Sequence, residues 1–505
     1  MKAEYIYILI VLIVSHIICS CDDEDSFSMS TSDTLTFSTD TIKLDTVFST
    51  VPSSTRSFWV YNKSGSGLRN INVRLENGNQ AGFRVNVDGT YLSPSSGFQA
   101  NGIEVRNKDS IRVFVELTSP VNNGDKPLKI EDNIVFTLES GIRQKVNLTA
   151  YSWDATIMKD VVIDNDSIFD SVSKPIVVYG GITVTDGSTL TISPGTTIYF
   201  HGDAGMNVYG KLNCQGEAGR EITLRGDRLD NMFDYLPYDY VSGQWLGIRF
   251  YETSYDNEIR YTDIHGTFDG IRVDSADVSR PKLVIENSTI HNCQGYALTA
   301  ESSNLIIKNC EFTNTLHNCI AIKGGKTDIN NCTFAQFYPF DSNRGSAFYF
   351  SEDKYPQSSL ICANSIITGY ADDEMMIQTA SDEEKKTAAY LFDHCIIRTP
   401  KITTEDSVRF ADVIFEEYED TVKTGVKHFR KIDSQNLRYD FRLDSISPAI
   451  NAADPATATL YDRYGTKRDE RPDIGAYEYF MKSEHKRYRN ERKRNQNYNQ
   501  KLRRL

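Results

Sequence analysis

The stretch SNLIIKNCEFTNTLHNCIAIKGGKTDINNCTF, residues 303–334, contains IKNCEF and, 22 residues further on, INNCTF. In the first copy Leu305 and Ile307 share one parity, whereas Cys310 and Phe312 share the other. A straight strand points alternate residues to opposite faces, so it cannot bury both pairs on one side. A bend at Lys308-Asn309 can, because asparagine tolerates the left-handed backbone that a sharp corner needs. The stretch therefore predicts short strands that meet at an asparagine corner, once per turn of chain.

The same grammar extends in both directions. Tyr261, Asn287, Asn309, Asn331, Asn364 and His394 all occupy the corner position, separated by 26, 22, 22, 33 and 30 residues. A second apolar ladder keeps step with the first: Ile271/Val273, Leu298/Ala300, Ile320/Ile322 and Phe348/Phe350. Two ladders that share one period are successive turns of a solenoid, and longer intervals are loops inserted between equivalent coils. With a rung spacing of about 4.8 Å, residues 155–480 would supply roughly a dozen coils. In this reading Asn287, Asn309, Asn331 and Asn364 form a structural ladder bonded from coil to coil, and Cys310 and Cys332 are small buried hydrophobes. Parallel cysteines stacked at that spacing have poor geometry for a disulfide.

This pattern resembles the right-handed parallel β-helix of the pectate-lyase-like superfamily, and the resemblance covers residues 155–480. ITVTDGSTLTISPGTTIYF, residues 182–200, is similar to the opening coils of such helices. SPAINAADP (447–455) and RPDIGAYEY (471–479) resemble a C-terminal segment of bacterial surface β-helix proteins, expected here to cap the last coil, whose edge would otherwise be exposed.

Ahead of the solenoid the pattern changes to short alternating segments such as RSFWVYN, INVRLEN, FRVNVDG, SIRVFVEL, NIVFTLES and KVNLTAYS. About seven strands between residues 41 and 153, separated by Asn, Gly, Ser and Pro turns, suggest an immunoglobulin-like sandwich that lacks a disulfide, since it contains no cysteine. The fold class is thus all-β: an N-terminal immunoglobulin-like β-sandwich followed by a right-handed parallel β-helix solenoid.

Residues 1–21 read as an address. YIYILIVLIVSHIICS behind Lys2 has signal-peptide length, and the ending IICSC resembles a bacterial lipobox in which Ser20 precedes the lipidated residue, Cys21. Asp22-Asp23-Glu24-Asp25 resembles the acidic signal that sends Bacteroidota lipoproteins to the outer face of the outer membrane. Several acyl chains, at about 0.8 kcal/mol per buried methylene, would make a stable anchor in outer-membrane lipid. Residues 22–40 then read as an acidic and Ser/Thr-rich tether, with a first strand as an alternative for its end.

The net charge of −14 argues against nucleic acid as a partner, because phosphate binding needs a positive footprint. Residues 481–505 form a basic tail: Lys482 to Leu505 carries ten Lys/Arg against two Glu, which leaves the remainder of the chain near −22. Seven cysteines follow the leader, and none has CxxC spacing; no His-x-x-x-His occurs either, so no metal site is expected.

Function is sought in loops inserted between coils. DRLDNMFDYLPYDYVSGQW, residues 227–245, offers Phe233, Asp234, Tyr235, Tyr238, Asp239, Tyr240 and Trp245 as ligand-binding candidates: aromatic faces stack on sugar rings and carboxylates accept from hydroxyls. Aromatics that cover the N-terminal end of the solenoid or pack on the sandwich would give the same composition. The acidic runs YADDEMM (Asp372, Asp373, Glu374) and SDEEKK (Asp382, Glu383, Glu384) read as solvated loop charge. The Asn-Thr-Asp, Asp-Asp, Gly-His-Gly and Arg-Ile-Lys signatures of polygalacturonases are absent as a set, so no catalytic residue is assigned. Three functions follow: carbohydrate binding without catalysis and without cofactor; a polysaccharide lyase or glycoside hydrolase, with calcium entering only for the lyase; or a structural, adhesive rod.

Overall fold

The structure is a computed structural model that describes residues 26–480 apart from 172–173, 234, 379–388, 404 and 417–424. The signal peptide, Cys21, the acidic run 22–25, Asp234, the SDEEKK cluster and the basic tail lie outside the described residues. The chain divides into two compact units, residues 1–154 and 155–505.

In the first unit the alternation seen in the sequence becomes two five-stranded sheets. Arg56–Asn62 and Ser110–Leu117 lie at the centre of one sheet, and Leu128–Thr137 and Arg143–Trp153 in the other. The inward residues of both, among them Val60, Val113, Val115, Phe136 and Leu148, form one buried cluster. Ten strands are present among its described residues rather than about seven, because Leu35–Phe37, Thr41–Phe48, Thr90–Tyr91 and Gln99–Val105 add to the six recognised segments. This corrects the tether. Leu35 is buried in the core, Leu35–Phe37 pairs antiparallel with Arg56–Asn62, and Phe27 bridges to Gly67, so residues 26–40 belong to the unit rather than to a free linker.

Among the described residues of the second unit, 26 strands pair in one continuous sheet, every pairing parallel. The registers fix the coil. Leu283, Leu305, Thr327 and Leu360 stack in one column. Ile264, Ile290, Phe312, Phe334 and Ile367 stack in a second. Ile271, Leu298, Ile320 and Phe348 stack in a third. All of these side chains point inward and are buried together, with Phe312 and Phe334 stacked at 5.3 Å. Between the first column and the second the backbone turns the corner read from the sequence. Tyr261, Asn287, Asn309, Asn331, Asn364 and His394 have φ of 44°, 51°, 52°, 51°, 49° and 49°. Their amides donate to the coil above in unbroken succession, from Tyr261 to the Glu286 carbonyl through to His394 to that of Ala411. The seven cysteines of the coils are buried and unpaired. Cys310 and Cys332 donate weakly to main-chain carbonyls, and burial pushes the Cys214 and Cys293 thiols up to about 12, so they remain thiols.

Two expectations change here. The asparagine side chains do not mainly bond one another up the ladder, and the C-terminal segment does not cap the last coil. It runs back along the corner column as a strap. Asn364 accepts from the Asp454 amide at 2.8 Å, Asn331 from the Thr459 amide at 2.8 Å, and Asn309 from the Thr459 hydroxyl at 2.7 Å. Asn287 donates to the Asp462 carbonyl at 2.7 Å. The left-handed corner turns each side-chain amide outward, so one extended segment can satisfy several corners at once. Behind it, Arg468 and Glu478 form an ion pair at 3.0 Å with both side chains 2% exposed, and Arg468 also donates to Asn309. Arg463, equally buried, reaches Thr289 and Glu221 and so ties the strap to two coils.

Candidate functional site

The inserted segment 227–245 folds onto the solenoid wall. It forms a small hairpin, Asn231–Phe233 with Leu236–Pro237, and then a single 3-10 turn, Tyr238–Tyr240. Arg228 holds it in shape by gripping buried Asp230 through two bonds, 2.9 and 2.8 Å, while its guanidinium lies 4.0 Å above the Tyr238 ring. Phe233 and Tyr235 stack on each other at 5.7 Å and are exposed.

Trp245 must be removed from the ligand-binding set. It is 1% exposed, lies flat on Phe200 at 4.2 Å and 7°, and donates Nε1–H to the His265 carbonyl at 2.9 Å. The ring is a core plug with no free face. Glu374 likewise departs from the solvated charge expected of YADDEMM. It is fully buried, accepts from the Ala347 amide at 2.9 Å and the Ala371 amide at 2.7 Å, and burial pushes its carboxyl up to about 8. Asp372 in the same run faces Arg398 at 3.5 Å.

Asp239 is where the loop meets the coils. Its Oδ1 lies 3.1 Å from His265 Nε2 and is also paired with Arg225. His265 Nδ1 lies 2.6 Å from Asp263 Oδ1, and His291 Nε2 lies 3.3 Å from the same oxygen. The two imidazoles are stacked, 4.8 Å apart at 27°. Parallel register creates this cluster: Asp263 and His265 are two apart on the strand Thr262–His265, and His291 stands directly beside His265 on the next coil. The His265 bond, with Arg225 and His291 nearby, holds the Asp239 carboxyl down at about 2. Burial alone would lower His265, but Asp263 and Asp239 outweigh it and hold the imidazolium up at about 9.

Beside this cluster opens a cavity of about 310 Å³. Its floor is the outer face of two rungs: Thr289, His291 and Asn292 on one, Glu311, Thr313 and Asn314 on the next. One wall is Tyr240, and the other is the hairpin Phe429–Asp433 with Arg438–Leu443, through Leu437, Arg438, Tyr439 and Phe441. Asn314 is 2% exposed, and its buried Oδ1 has no hydrogen-bond partner among the described residues. Glu311, also buried, accepts from the Thr313 hydroxyl at 3.2 Å and from Tyr477, and burial raises its carboxyl above the usual range despite both bonds. Of the ligand-binding candidates taken from the sequence, Tyr240 lines this cavity, Asp239 braces its edge, and Tyr238 packs on Arg228.

A different constellation looks more like chemistry and is not. His428 lies between Glu416 Oε1 (2.6 Å) and Ser447 Oγ (3.1 Å), the order of an acid–base triad. All three are buried, so they act as a clip within the protein.

Residues 158–334 match the family described as right handed beta helix region. Over that span the chain is similar to right-handed β-helices. No curated protein matches it. Among solved structures, the catalytic unit of the thermostable GH87 alpha-1,3-glucanase from Streptomyces thermodiastaticus strain HF3-3 aligns at 10% identity, covering 69% of this chain and 64% of that one, with a TM-score of 0.20. A family 123 glycoside hydrolase from Clostridium perfringens aligns at 11% identity over 24% of this chain and 25% of its own, TM-score 0.17. PapD-like domain 7 of human CEP192 aligns at 12% identity over 27% of this chain and 96% of its own, TM-score 0.17. The chain thus spans a quarter of the Clostridium enzyme and just under two thirds of the glucanase unit.

Proposed function

We propose that the protein is a carbohydrate-binding β-helix, anchored at the cell surface through lipidated Cys21, that holds a saccharide in the cavity above Thr289, His291, Glu311 and Asn314. The observation that carries this reading is a cavity lined by Tyr240 and Tyr439 whose floor includes Asn314, a buried residue whose Oδ1 has no hydrogen-bond partner among the described residues. A buried acceptor without a donor costs about 1–3 kcal/mol, and a ligand hydroxyl relieves that cost while its ring packs on an aromatic wall. The N-terminal unit, two sheets around one core, serves as an immunoglobulin-like spacer between anchor and solenoid. Neutral and acidic oligosaccharides titrated against the protein test the reading: binding abolished by Asn314→Ala and by Tyr240→Ala supports it.

Turnover of the bound glycan is a second reading, favoured by Glu311. Its carboxyl is buried on the cavity floor and burial raises it above the usual range, the environment that suits a general acid. Product release from a bound oligosaccharide, lost in Glu311→Gln while binding persists, would establish this reading over binding alone.

A further inference from the structure

We propose that Asp263, His265 and His291 form a binding site for one divalent transition-metal ion of the zinc class, at the edge of the cavity. This goes beyond saccharide binding and does not depend on it. The ligand atoms, one carboxylate oxygen and two imidazole nitrogens, all lie within 4.8 Å of one another. His291 Nε2 and Asp263 Oδ1 are 3.3 Å apart, the separation of two ligands on a tetrahedral ion whose bonds are about 2.0–2.1 Å. His265 Nδ1 and the same oxygen, at 2.6 Å, need to part by well under an ångström, a small rotation of a half-buried carboxylate.

Two features separate this cluster from a chance surface pair. All three ligands stand on one face of two adjacent parallel strands, so the register of the coils fixes their spacing. Asp239 faces the other ring nitrogen of His265 and is itself held by Arg225, the carboxylate–histidine support that orients metal-bound imidazoles. Three protein ligands leave a fourth position open, and His291 also lines the cavity, which puts the ion beside any ligand bound there.

Titration of the protein with zinc sulfate by calorimetry, and with cobalt(II) chloride by absorption spectroscopy, tests the site. The expected result is one equivalent bound, visible ligand-field bands of tetrahedral cobalt, and protons released on binding. His291→Ala and His265→Ala abolish these signals, Asp239→Asn weakens affinity by about 10–100-fold, and the exposed control His317→Ala leaves it unchanged. His291 is only half-buried, so its variant is the one used if His265→Ala unfolds. Absence of zinc binding, or binding that survives His291→Ala in folded protein, overturns the proposal and leaves the cluster a proton-bridged ion network.

Discussion

Asn287 donates its side-chain amide to the main-chain carbonyl of Asp462 at 2.7 Å, across 175 residues of sequence. With the bonds that Asn309, Asn331 and Asn364 make to Thr459 and Asp454, this contact makes the corner column a docking rail for the end of the chain. A corner asparagine therefore does two jobs: it bends the backbone and it fastens the strap.

The two jobs separate by mutation. Asn331→Gly retains the left-handed corner and loses only the bonds to Thr459 and Asp473, at about 0.5–1.5 kcal/mol each. Asn331→Ala loses the same bonds and keeps a Cβ in left-handed backbone without the polar side chain that lets asparagine tolerate it, at about 1–2 kcal/mol more than glycine. Calorimetric melting should rank wild type above Gly and Gly above Ala.

Strap docking depends on a buried charge pair. Arg468→Met leaves Glu478 buried without its partner, a loss of about 3–5 kcal/mol. Hydrogen exchange should accelerate first in residues 454–480, ahead of the coils. Uniform acceleration through all coils would show instead that strap and solenoid unfold as one unit.

How much of this could be read in advance follows from what a single turn of sequence contains. The corners were legible because a parity switch around an asparagine is local, and the ladder was legible because its period recurs. The strap was not, since its partners lie 90 to 175 residues away and each bond uses a polar residue with no apolar signature. Trp245 was misplaced for a related reason: an indole in a loop rich in tyrosine gives no sign that it folds under the wall rather than over it. The Asp263, His265 and His291 cluster did leave a signal. TDIH (262–265) and STIH (288–291) place the two histidines at the same step after successive corners, so stacking the repeats would have brought them side by side. The Tyr439 wall of the cavity comes from a hairpin outside the repeat, and no periodicity reaches it.

Trp245→Ala should cost about 3–5 kcal/mol of stability through the cavity it opens against Phe200, as a large-to-small core change does. Phe233→Ala, at an exposed ring, should change stability by less than about 0.5 kcal/mol. Chemical denaturation of the two variants side by side checks both statements.

Stability should fall as pH rises because of Glu374. Its carboxyl titrates near 8 in the folded protein and near 4.5 in the unfolded chain, so between those values the native state holds the extra proton and loses stability as pH increases. The loss across that window is on the order of a few kcal/mol for a buried group. Denaturant melts at about pH 5 and about pH 8 should show this slope in the wild type and a shallower one in Glu374→Gln.

The central claim, that a saccharide occupies the cavity between Tyr240 and Tyr439, is tested most directly by calorimetric titration of an oligosaccharide panel against wild type, Tyr240→Ala, Asn314→Ala and Phe233→Ala. The account predicts that at least one oligosaccharide binds, that the first two variants lose it, and that Phe233→Ala retains it. No binding across the panel, or binding that survives loss of both the Tyr240 ring and the Asn314 acceptor, would contradict it.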